Sequence, residues 1–436
     1  MIQHNDPKRI LVIGGGISGI MDEILKYSPD RIDYAELNPA IIEAGEKFAR
    51  FKAGPLIRVF NEDGRRMLKQ TGETYDIVLI NLPEPSTLQV NRYYTLEFFR
   101  ELKSHMRPGG VVSLGLPSTA DYVSGIAGKL NAVMVRTLEE VFRNVLILPG
   151  LRNYFLASDN TLYTDVASRI EKKGISTLYV NPWYFDDNLL RDRSGFIQQQ
   201  LTASVPSNRD FHPVAFFYQL QYWTTFFRAD YEVIAVIAAV IILMMALSMN
   251  VISLGLFTGG FTVSSLEIII LLAFQVVYGY VFQMTGIIIT VFMAGLFAGS
   301  FFRAKIYPVA HGRFFLHVQL TLALFSLGFP FIILAMNSPR IPDLLARGVF
   351  FILAFLSAFL AGLEFSLAAA IRKQYYSKVI SENYSADLFG SALGAILMTV
   401  ILLPFLGLIG SCLVLAGLNL LSAGILLFWR KKVVSL

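Results

Sequence analysis

Short apolar runs alternate with polar stretches in the first half of the chain, whereas long apolar runs fill the second half. The short runs have the length of buried parallel strands, and the candidates are 10–13, 32–37, 57–60, 75–80 and 111–116. Helical stretches separate them, around 21–27, 40–51 and 98–106. Strands that alternate with helices predict a doubly wound, mostly parallel sheet. Residues 145–148 and 154–157 are expected to close that sheet as an antiparallel pair.

In the second half, the apolar runs approach the roughly 20 residues that a helix needs to cross a bilayer. Seven segments qualify: 231–252, 262–282, 285–302, 314–336, 347–371, 385–406 and 408–429. The sequence therefore predicts an α/β Rossmann domain at 1–205, an amphipathic linker at 206–230 and an all-α polytopic transmembrane domain at 231–436. The aromatic run at 216–227 suits a helix lying on the bilayer surface, or equally one packed against the Rossmann domain.

The composition supports a membrane protein, because 54% of the residues are hydrophobic and only 16% are charged. The first 230 residues hold 26 basic and 26 acidic side chains, so the remaining 11 basic and 6 acidic ones account for the net charge of +5. These bases lie in short loops between apolar segments, which is the positive-inside pattern and argues against nucleic-acid binding. Cys412 is the single cysteine and the five histidines are scattered, so neither a disulfide nor a metal site is predicted.

Polar and glycine residues follow four of the predicted strands. Three glycines with G-x-G-x-x-G spacing lie between the first strand and a helix: Gly14, Gly16 and Gly19. Glu36 lies near the end of the second strand, and polar residues follow the next two at 61–64 and 81–84. Glycines let a ligand approach the backbone, and an acid on the second strand tip can hold ribose hydroxyls. The pattern predicts a nucleoside site at the carboxyl edge of the sheet.

A family resemblance rests on four motifs: VIGGGISG, AELNP, NEDGRRML and INLPEPSTLQVNRYYTLEFFRELKSHMRPGGVVSL. Together they resemble the spermidine synthase (polyamine aminopropyltransferase) family over roughly residues 8–160, and the spacing to the apolar half resembles its membrane-fused branch. The resemblance implies a methyltransferase-like Rossmann fold and decarboxylated S-adenosylmethionine as cosubstrate. By position, Glu36 would bind the ribose hydroxyls, and Asp63, followed by Gly64, would bind the adenine amino group.

The chain departs from this family where the amine is bound. Ile17 stands where the family usually has an aspartate that holds the cosubstrate amine, and Asn81 replaces the aspartate presumed to act as the base. Glu84 replaces a further aspartate that binds the polyamine. An asparagine cannot serve as a general base, because its amide has no usable pKa. The family's N-terminal β-hairpin module is also expected to be absent, since the first strand begins near Lys8, and no signal peptide is expected.

The segment 83–95 is predicted to border the site as a loop that leads into a helix. Two interpretations are open for its polar residues. They rebuild a substrate pocket, or they satisfy backbone groups of the loop itself. The substrate-binding candidates in this segment are Gln89, Asn91, Arg92 and Tyr94, with Glu84 beside Asn81 at the reacting centre.

The orientation in the membrane follows from three basic clusters on alternate loops, Arg303/Lys305/Arg313, Arg372/Lys373/Lys378 and Arg430/Lys431/Lys432. They place the C-terminus in the cytoplasm. Seven spans would then put the Rossmann domain outside, although its adenosyl cosubstrate is cytoplasmic. We therefore expect a protein of the cell inner membrane with a cytoplasmic Rossmann domain. The first apolar segment then lies flat or is re-entrant, or upstream spans set the orientation.

Acids within the apolar segments are costly and are functional hypotheses by default. Glu267 and Asp387 lie near segment ends, whereas Glu364 is the most interior. Glu364 lines a substrate or proton path, or it forms a helix–helix hydrogen bond, and the sequence favours the second.

The expected function is transfer of an aminopropyl group from an adenosyl sulfonium to a small-molecule amine by a protein anchored in the lipid bilayer. Three alternatives remain open. One is an S-adenosylmethionine-dependent, methyltransferase-like enzyme acting on a membrane substrate, because Asn81-Leu82-Pro83 resembles the N-P-P loops of amino methyltransferases. The others are a transporter with a nucleoside-sensing Rossmann domain and a structural membrane protein with a decayed enzyme domain. A homo-oligomer or an upstream membrane partner is left open.

Overall fold

The computed structural model describes residues 1–49, 51–117, 125–201, 204–227, 231–279, 282–337, 341–371 and 376–433. The chain divides into two compact units, Met1–Phe226 and Phe227–Leu436.

The first unit is built on one seven-stranded sheet. Its strands are β1 (Arg9–Ile13), β2 (Arg31–Ala35), β3 (Ile57–Phe60), β4 (Tyr75–Ile80), β5 (Met106–Pro117), β6 (Asn144–Leu148) and β7 (Arg152–Ser158). The strand order is β3-β2-β1-β4-β5-β7-β6. The first five strands pair in parallel, and β7 runs antiparallel to both β5 and β6. The predicted α/β Rossmann fold, with the last two strands as an antiparallel pair, is confirmed.

Nine helices of the described chain accompany the sheet. They are α1 (Ile20–Leu25), α2 (Pro39–Phe48), α3 (Gly64–Gln70), α4 (Leu88–Asn91), α5 (Leu96–Ser104), α6 (Gly125–Glu139), α7 (Val166–Lys172), α8 (Asp187–Gln199) and α9 (Val214–Thr224). The sequence did not predict α3, α6 or α8. Helix α5 also ends earlier than predicted, because β5 begins at Met106 and passes through Gly109, whose φ of 78° favours glycine.

Buried polar contacts attach residues 207–215 to the sheet unit. Both guanidinium nitrogens Nη1 and Nη2 of Arg65 donate to Asp210 at 2.8 Å, and Thr95 donates to the same carboxylate at 2.7 Å. Such a bidentate buried pair costs about 3–5 kcal/mol of stability when one partner is removed. Helix α9 follows directly, with Gln219 and Tyr222 buried and Trp223 45% exposed. Of the two interpretations of the aromatic run, the structure shows packing within the first unit for residues up to Tyr222.

The second unit is all helical. Its helices are α10 (Tyr231–Ser248), α11 (Val251–Tyr278), α12 (Phe282–Ile306), α13 (Gly312–Met336), α14 (Asp343–Ile371), α15 (Tyr376–Leu397) and α16 (Leu403–Val433), with a π-helical turn at Met398–Leu402 between the last two. Asn250 caps α11 by accepting from the backbone N–H groups of Ile252 and Ser253. The predicted start of this helix at 262 is therefore wrong, since no change in polarity marks its actual first turns.

Five helical stretches among the described residues are long and apolar enough to cross a membrane: 251–278, 284–306, 312–336, 344–371 and 380–428. The last combines two predicted segments, because α15 continues through the π-helical turn into α16 and bends at Gly407, where φ is 65°. The predicted class, a Rossmann domain followed by apolar helices, is confirmed. Arg372 and Lys373 lie outside the described residues, as do the side chains of Lys378 and of the cluster at 430–432.

Glycines bring two pairs of these helices into backbone contact. In the α12–α14 pair, a Cβ at Gly299 would overlap the carbonyl oxygen of Phe359, and a Cβ at Gly362 would overlap that of Leu296. In the α11–α15 pair, a Cβ at Gly390 or Gly394 would overlap the carbonyl oxygens of Phe257 and Phe261. Small residues are the usual means of close helix packing in membranes.

Candidate functional site

The carboxyl ends of four parallel strands meet at one edge of the sheet. Ile13 at the end of β1 pairs with Ala35 on β2 and with Ile80 on β4, and Ala35 pairs in turn with Phe60 on β3. The last residues of these strands are therefore aligned, and the residues that follow them begin at the same height along the sheet. This register brings the glycine turn, Glu36, Asp63 and Asn81 to the same edge, as the sequence predicted.

The glycine turn after β1 is tightly enclosed. Gly14, Gly15 and Gly19 have φ values of 73°, 62° and 87°, which L side chains rarely adopt. A Cβ at Gly16 would lie 2.5 Å from Cζ of Tyr34, and one at Gly15 would lie 2.9 Å from Cγ of Asn81. At Gly19, by contrast, no atom lies within 4 Å of such a Cβ. The turn thus packs against the sheet at Gly15 and Gly16 and leaves space at Gly19.

Glu36 is held beside this turn by its own strand. The Tyr34 hydroxyl donates to Glu36 Oε2 at 2.9 Å, and the backbone N–H of Asn38 donates to Oε1 at 3.2 Å. Burial, together with the hydrogen bond and charge of Glu36, raises the pKa of Tyr34. The carboxylate is 7% exposed and each oxygen keeps acceptor capacity for a further donor. This geometry fits the binding of ribose hydroxyl groups.

Asp63 is fully engaged by protein groups. Its Oδ1 accepts from the N–H of Arg66 at 3.0 Å and from Arg92 at 3.2 Å, and its Oδ2 accepts from Tyr93 at 2.7 Å and from Arg92. Burial alone raises the pKa of Asp63, but the charge of Arg92 and these hydrogen bonds outweigh it and hold the pKa below its usual range. A carboxylate offers about four acceptor positions, and all are taken. Arg92 or Tyr93 would have to release Asp63 before it could accept an adenine amino group.

Gly64, predicted to assist nucleoside binding, opens helix α3 behind Asp63. A Cβ there would lie 2.8 Å from Cγ2 of Ile13, at the end of β1. Gly64 thus allows α3 to lie close to the sheet.

Asn81 and Glu84 follow β4, and they face polar groups of the glycine turn and of β7, respectively. Asn81 Nδ2 donates to the Gly15 carbonyl oxygen at 3.3 Å, which leaves its Oδ1 as an acceptor. Glu84 Oε2 lies 4.0 Å from Nη2 of Arg152, which also donates to the Gly115 carbonyl oxygen at 2.9 Å. Arg152 Nε is buried and has no hydrogen-bond partner among the described residues. A guanidinium therefore stands beside the acid that the resemblance assigns to amine binding.

Most of the remaining predicted substrate residues form hydrogen bonds within the protein. Asn91 is 1% exposed and its Oδ1 accepts from Asn208 at 3.0 Å. Arg92 also donates through Nε to the Gln89 carbonyl oxygen at 3.0 Å, and the Tyr94 hydroxyl donates to the Pro83 carbonyl oxygen at 2.7 Å. Only Gln89 keeps a partly exposed side chain. For the other three, these contacts match the structural interpretation of the loop.

Ile17 packs into the apolar layer between the glycine turn and α2. A Cβ at Gly45 would lie 2.5 Å from Cγ2 of Ile17. Ile17 also belongs to the apolar cluster around Tyr34 and Phe51. The position that the family uses for an acid is here part of a hydrophobic contact.

Three side chains near this edge were missed by sequence reasoning. Tyr34 had a signal, since it lies two residues before Glu36 on the same face of a strand. Tyr93 follows Arg92 directly, but nothing local pairs it with Asp63. Arg152 reaches the edge only because β7 pairs antiparallel with β5, which sets Arg152 opposite Pro117. Within the part of the chain that the structure describes, no cluster of three or more metal-binding side chains occurs.

Comparison with known proteins finds similarity in the first unit. Residues 1–119 match the family model of the spermine/spermidine synthase domain. The matched residues are thus similar to a spermine/spermidine synthase domain. They include β1 to β5 with the glycine turn, Glu36, Asp63, Asn81 and Glu84, whereas Arg152 lies beyond them.

Curated proteins that are similar to the first unit include polyamine aminopropyltransferases. The protein from Oceanobacillus iheyensis is 31% identical over 120 residues, which cover 26% of this chain and 23% of the relative. The protein from Sulfolobus acidocaldarius is 27% identical over 219 residues, which cover 47% and 64%. The chain thus spans less than two thirds of the length of these relatives. Among solved structures, spermidine synthase from Thermotoga maritima is similar with a TM-score of 0.36 and 21% identity, covering 46% of this chain and 70% of that one.

Proposed function

We propose that the first unit binds an adenosyl sulfonium at the carboxyl edge of the sheet and transfers its aminopropyl group to an amine. The observation that carries the proposal is Glu36, fixed by Tyr34 beside the glycine turn with acceptor capacity to spare. The spermine/spermidine synthase match and the curated aminopropyltransferases support the reaction class. Decarboxylated S-adenosylmethionine is the cosubstrate that this assignment implies.

In the proposed reaction, the amine nitrogen forms a bond to the propyl carbon while the carbon–sulfur bond breaks. Methylthioadenosine leaves with the electron pair of that bond, and one proton leaves the attacking nitrogen. Asn81 cannot take this proton, because a neutral amide is not a base in water. Its free Oδ1 can accept a hydrogen bond from the attacking amine and orient it. We assign the proton to Glu84, the carboxylate that follows Asn81 on the same loop.

A second candidate is favoured by two features of the same site. Ile17 is apolar, so this position has no acid to bind the cosubstrate amine, and Arg152 places a positive charge next to Glu84. Both features suit S-adenosylmethionine, whose carboxylate a guanidinium can bind. The chain would then methylate an amine oriented by Asn81, on a substrate held at the membrane.

One experiment distinguishes the two candidates. The full chain in nanodiscs is supplied with either cosubstrate, labelled in the transferred carbons, together with putrescine or a membrane extract. Label that appears in a polyamine from decarboxylated S-adenosylmethionine supports aminopropyl transfer. Label that appears from S-adenosylmethionine in a lipid or protein supports methyl transfer. Failure of methylthioadenosine, S-adenosylhomocysteine and both cosubstrates to bind, measured by calorimetry, would contradict both.

The lipid bilayer and the side of the membrane belong to the same proposal. The apolar helices of the second unit anchor the protein in the cell inner membrane, with the first unit in the cytoplasm, where adenosyl cosubstrates are made. Helices α11 to α16 can supply six crossings, and an even number returns the chain to the side on which α11 begins. The first apolar segment, α10, then stays on that side.

A further inference from the structure

Glu364 lies in the interior of the second unit. It is 1% exposed on α14, in a stretch of the chain that is otherwise apolar. Its one hydrogen-bond partner among the described residues is Gln319 on α13, whose Nε2 donates to Oε1 of Glu364. The same Nε2 donates to the Gly255 carbonyl oxygen on α11 at 2.9 Å. Three helices thus meet at this carboxyl group.

Helix α11 carries two adjacent glycines where two acidic side chains approach it. Gly259 faces Glu364, since a Cβ at Gly259 would overlap Oε2 of Glu364. Gly260 faces Asp387 on α15, since a Cβ there would lie 2.8 Å from Oδ1 of Asp387. Two adjacent glycines therefore admit two carboxyl groups from different helices. No other titratable group of the described residues faces Glu364 from α11 or α13, and no basic side chain pairs with it.

The hydrogen bonding of Gln319 itself is incomplete. Its side chain is fully buried and donates to Glu364 through Nε2, whereas its Oε1 has no hydrogen-bond partner among the described residues. Buried polar atoms almost always have a partner, so this amide oxygen is an unused acceptor one side chain away from the carboxyl group. Rotating the amide by half a turn would turn its oxygen towards the carboxylate, and two facing acceptor oxygens require a cation between them.

The negative charge of an ionised Glu364 would require a small cation at this site. An isolated ionised carboxylate in an apolar interior is strongly unfavourable unless it is neutralised. A divalent ion requires several anionic or neutral oxygen ligands, and the described residues hold no cluster of three acidic or histidine side chains here. One carboxylate carries a single negative charge, which a monovalent cation neutralises, and the neutral amide oxygen can serve as a second ligand. We propose that Glu364 and Gln319 form an exchangeable binding site for one monovalent cation, a proton or an alkali ion, inside the membrane unit.

Infrared difference spectroscopy on the full chain in nanodiscs tests the site, because a protonated carboxyl group and a carboxylate absorb at different frequencies. The Glu364→Gln variant keeps the shape of the side chain and identifies which band belongs to Glu364. We expect a Glu364 carboxyl band that is lost as the pH is raised, or, if the ligand is an alkali ion, when sodium or potassium is added at constant pH. The first outcome assigns a proton and the second an alkali ion.

Two further variants make the test specific. Gln319→Leu removes the amide oxygen and is expected to shift the midpoint of the transition at least tenfold in cation activity. Glu267→Gln, which removes a partly exposed acid elsewhere on α11, should leave the midpoint unchanged. A Glu364 band that responds to neither pH, sodium nor potassium would overturn the proposal and leave a permanent helix–helix hydrogen bond. If Glu364→Gln does not fold, the unaltered chain with isotope-labelled glutamate gives the same titration, with Gln319→Leu as its comparison.

Discussion

Asn81 donates its side-chain amide to the carbonyl oxygen of Gly15, across a distance of 3.3 Å. The residue that stands where a base is expected is therefore fixed to the glycine turn by its donor end, with its oxygen available to an amine. Asn81→Asp would replace the donor by an acceptor, so the new carboxylate would turn away from Gly15 and towards the substrate side.

We expect Asn81→Asp to raise any residual aminopropyl transfer by up to roughly 100- to 10,000-fold, the range of a positioned general base, with the gain reduced by whatever Glu84 already contributes as a base. Asn81→Ser is the matched control, because it also removes the bond to Gly15 but adds no base. Transfer of radiolabel from decarboxylated S-adenosylmethionine to putrescine measures both variants. Rapid transfer by the unaltered chain would mean that Asn81 is no obstacle.

Glu36→Ala is expected to weaken methylthioadenosine binding by about 1–3 kcal/mol, because charge-assisted hydrogen bonds to the ribose are lost. Isothermal calorimetry on the full chain measures the change. Glu43→Ala, on the exposed face of α2, should leave the affinity unaltered. Equal affinities for Glu36→Ala and the parent protein would remove Glu36 from the site.

Arg152→Gln is expected to increase the affinity for putrescine by about fivefold, or about 1 kcal/mol, because a positive charge next to Glu84 is removed. The effect is modest, since both side chains are partly exposed and solvent screens the pair. Arg100→Gln serves as an exposed control of equal charge change. Weaker putrescine binding by Arg152→Gln would show that Arg152 supports the amine rather than opposing it.

Asp63 makes the stability of the chain depend on acid pH. Its pKa is lower in the folded state than the value of about 3.9 for a free aspartate. The unfolded chain therefore binds more protons in this range, and the stabilisation is complete above about pH 3.9 and lost as the pH falls through the lowered pKa.

Asp63→Asn should abolish this part of the pH dependence and cost about 3–5 kcal/mol at neutral pH, because Arg92 loses its buried partner. Unfolding in denaturant, followed by fluorescence between neutral and acidic pH, measures both effects. Asp22→Asn, at an exposed position of α1, should change neither. A slope that persists in Asp63→Asn would assign the acid sensitivity to another carboxylate.

The cytoplasmic position of the first unit is tested with cysteines at exposed or partly exposed sites, because the single native cysteine, Cys412, is buried. Ser104→Cys on the first unit and Val309→Cys between α12 and α13 should both resist an impermeant maleimide in intact cells and react in inverted vesicles. Asn337→Cys, after α13, should react from outside. Reaction of Ser104→Cys in intact cells would mean that α10 crosses the membrane.

The sheet and most of the nucleoside edge could be predicted because their signals are local. A buried strand, a glycine turn and an acid on the next strand tip follow one another within 30 residues, from Ile10 to Glu36. The pairs that distinguish this site are not local. Arg152 and Glu84 are brought together only by strand pairing, and Asp210 reaches Arg65 across 145 residues.

The apolar half was less predictable, because its hydrophobicity hardly changes at the helix ends. Asn250 starts α11 within a run that looks uniform by composition, and Gly407 bends the chain where a loop was expected. The same uniformity conceals which polar residue meets which. Only the folded unit shows that Glu364 and Gln319 are partners.

The two glycine-packed helix pairs meet at Glu364. Within the α12–α14 and α11–α15 pairs, backbone lies against backbone at the glycines. Glu364 belongs to the first pair and Gly259 to the second, so the carboxyl group lies where one pair contacts the other. A cation that binds at Glu364, as proposed above, would therefore change the charge at the contact between the two pairs, whereas the backbone contacts within each pair involve uncharged carbonyl groups.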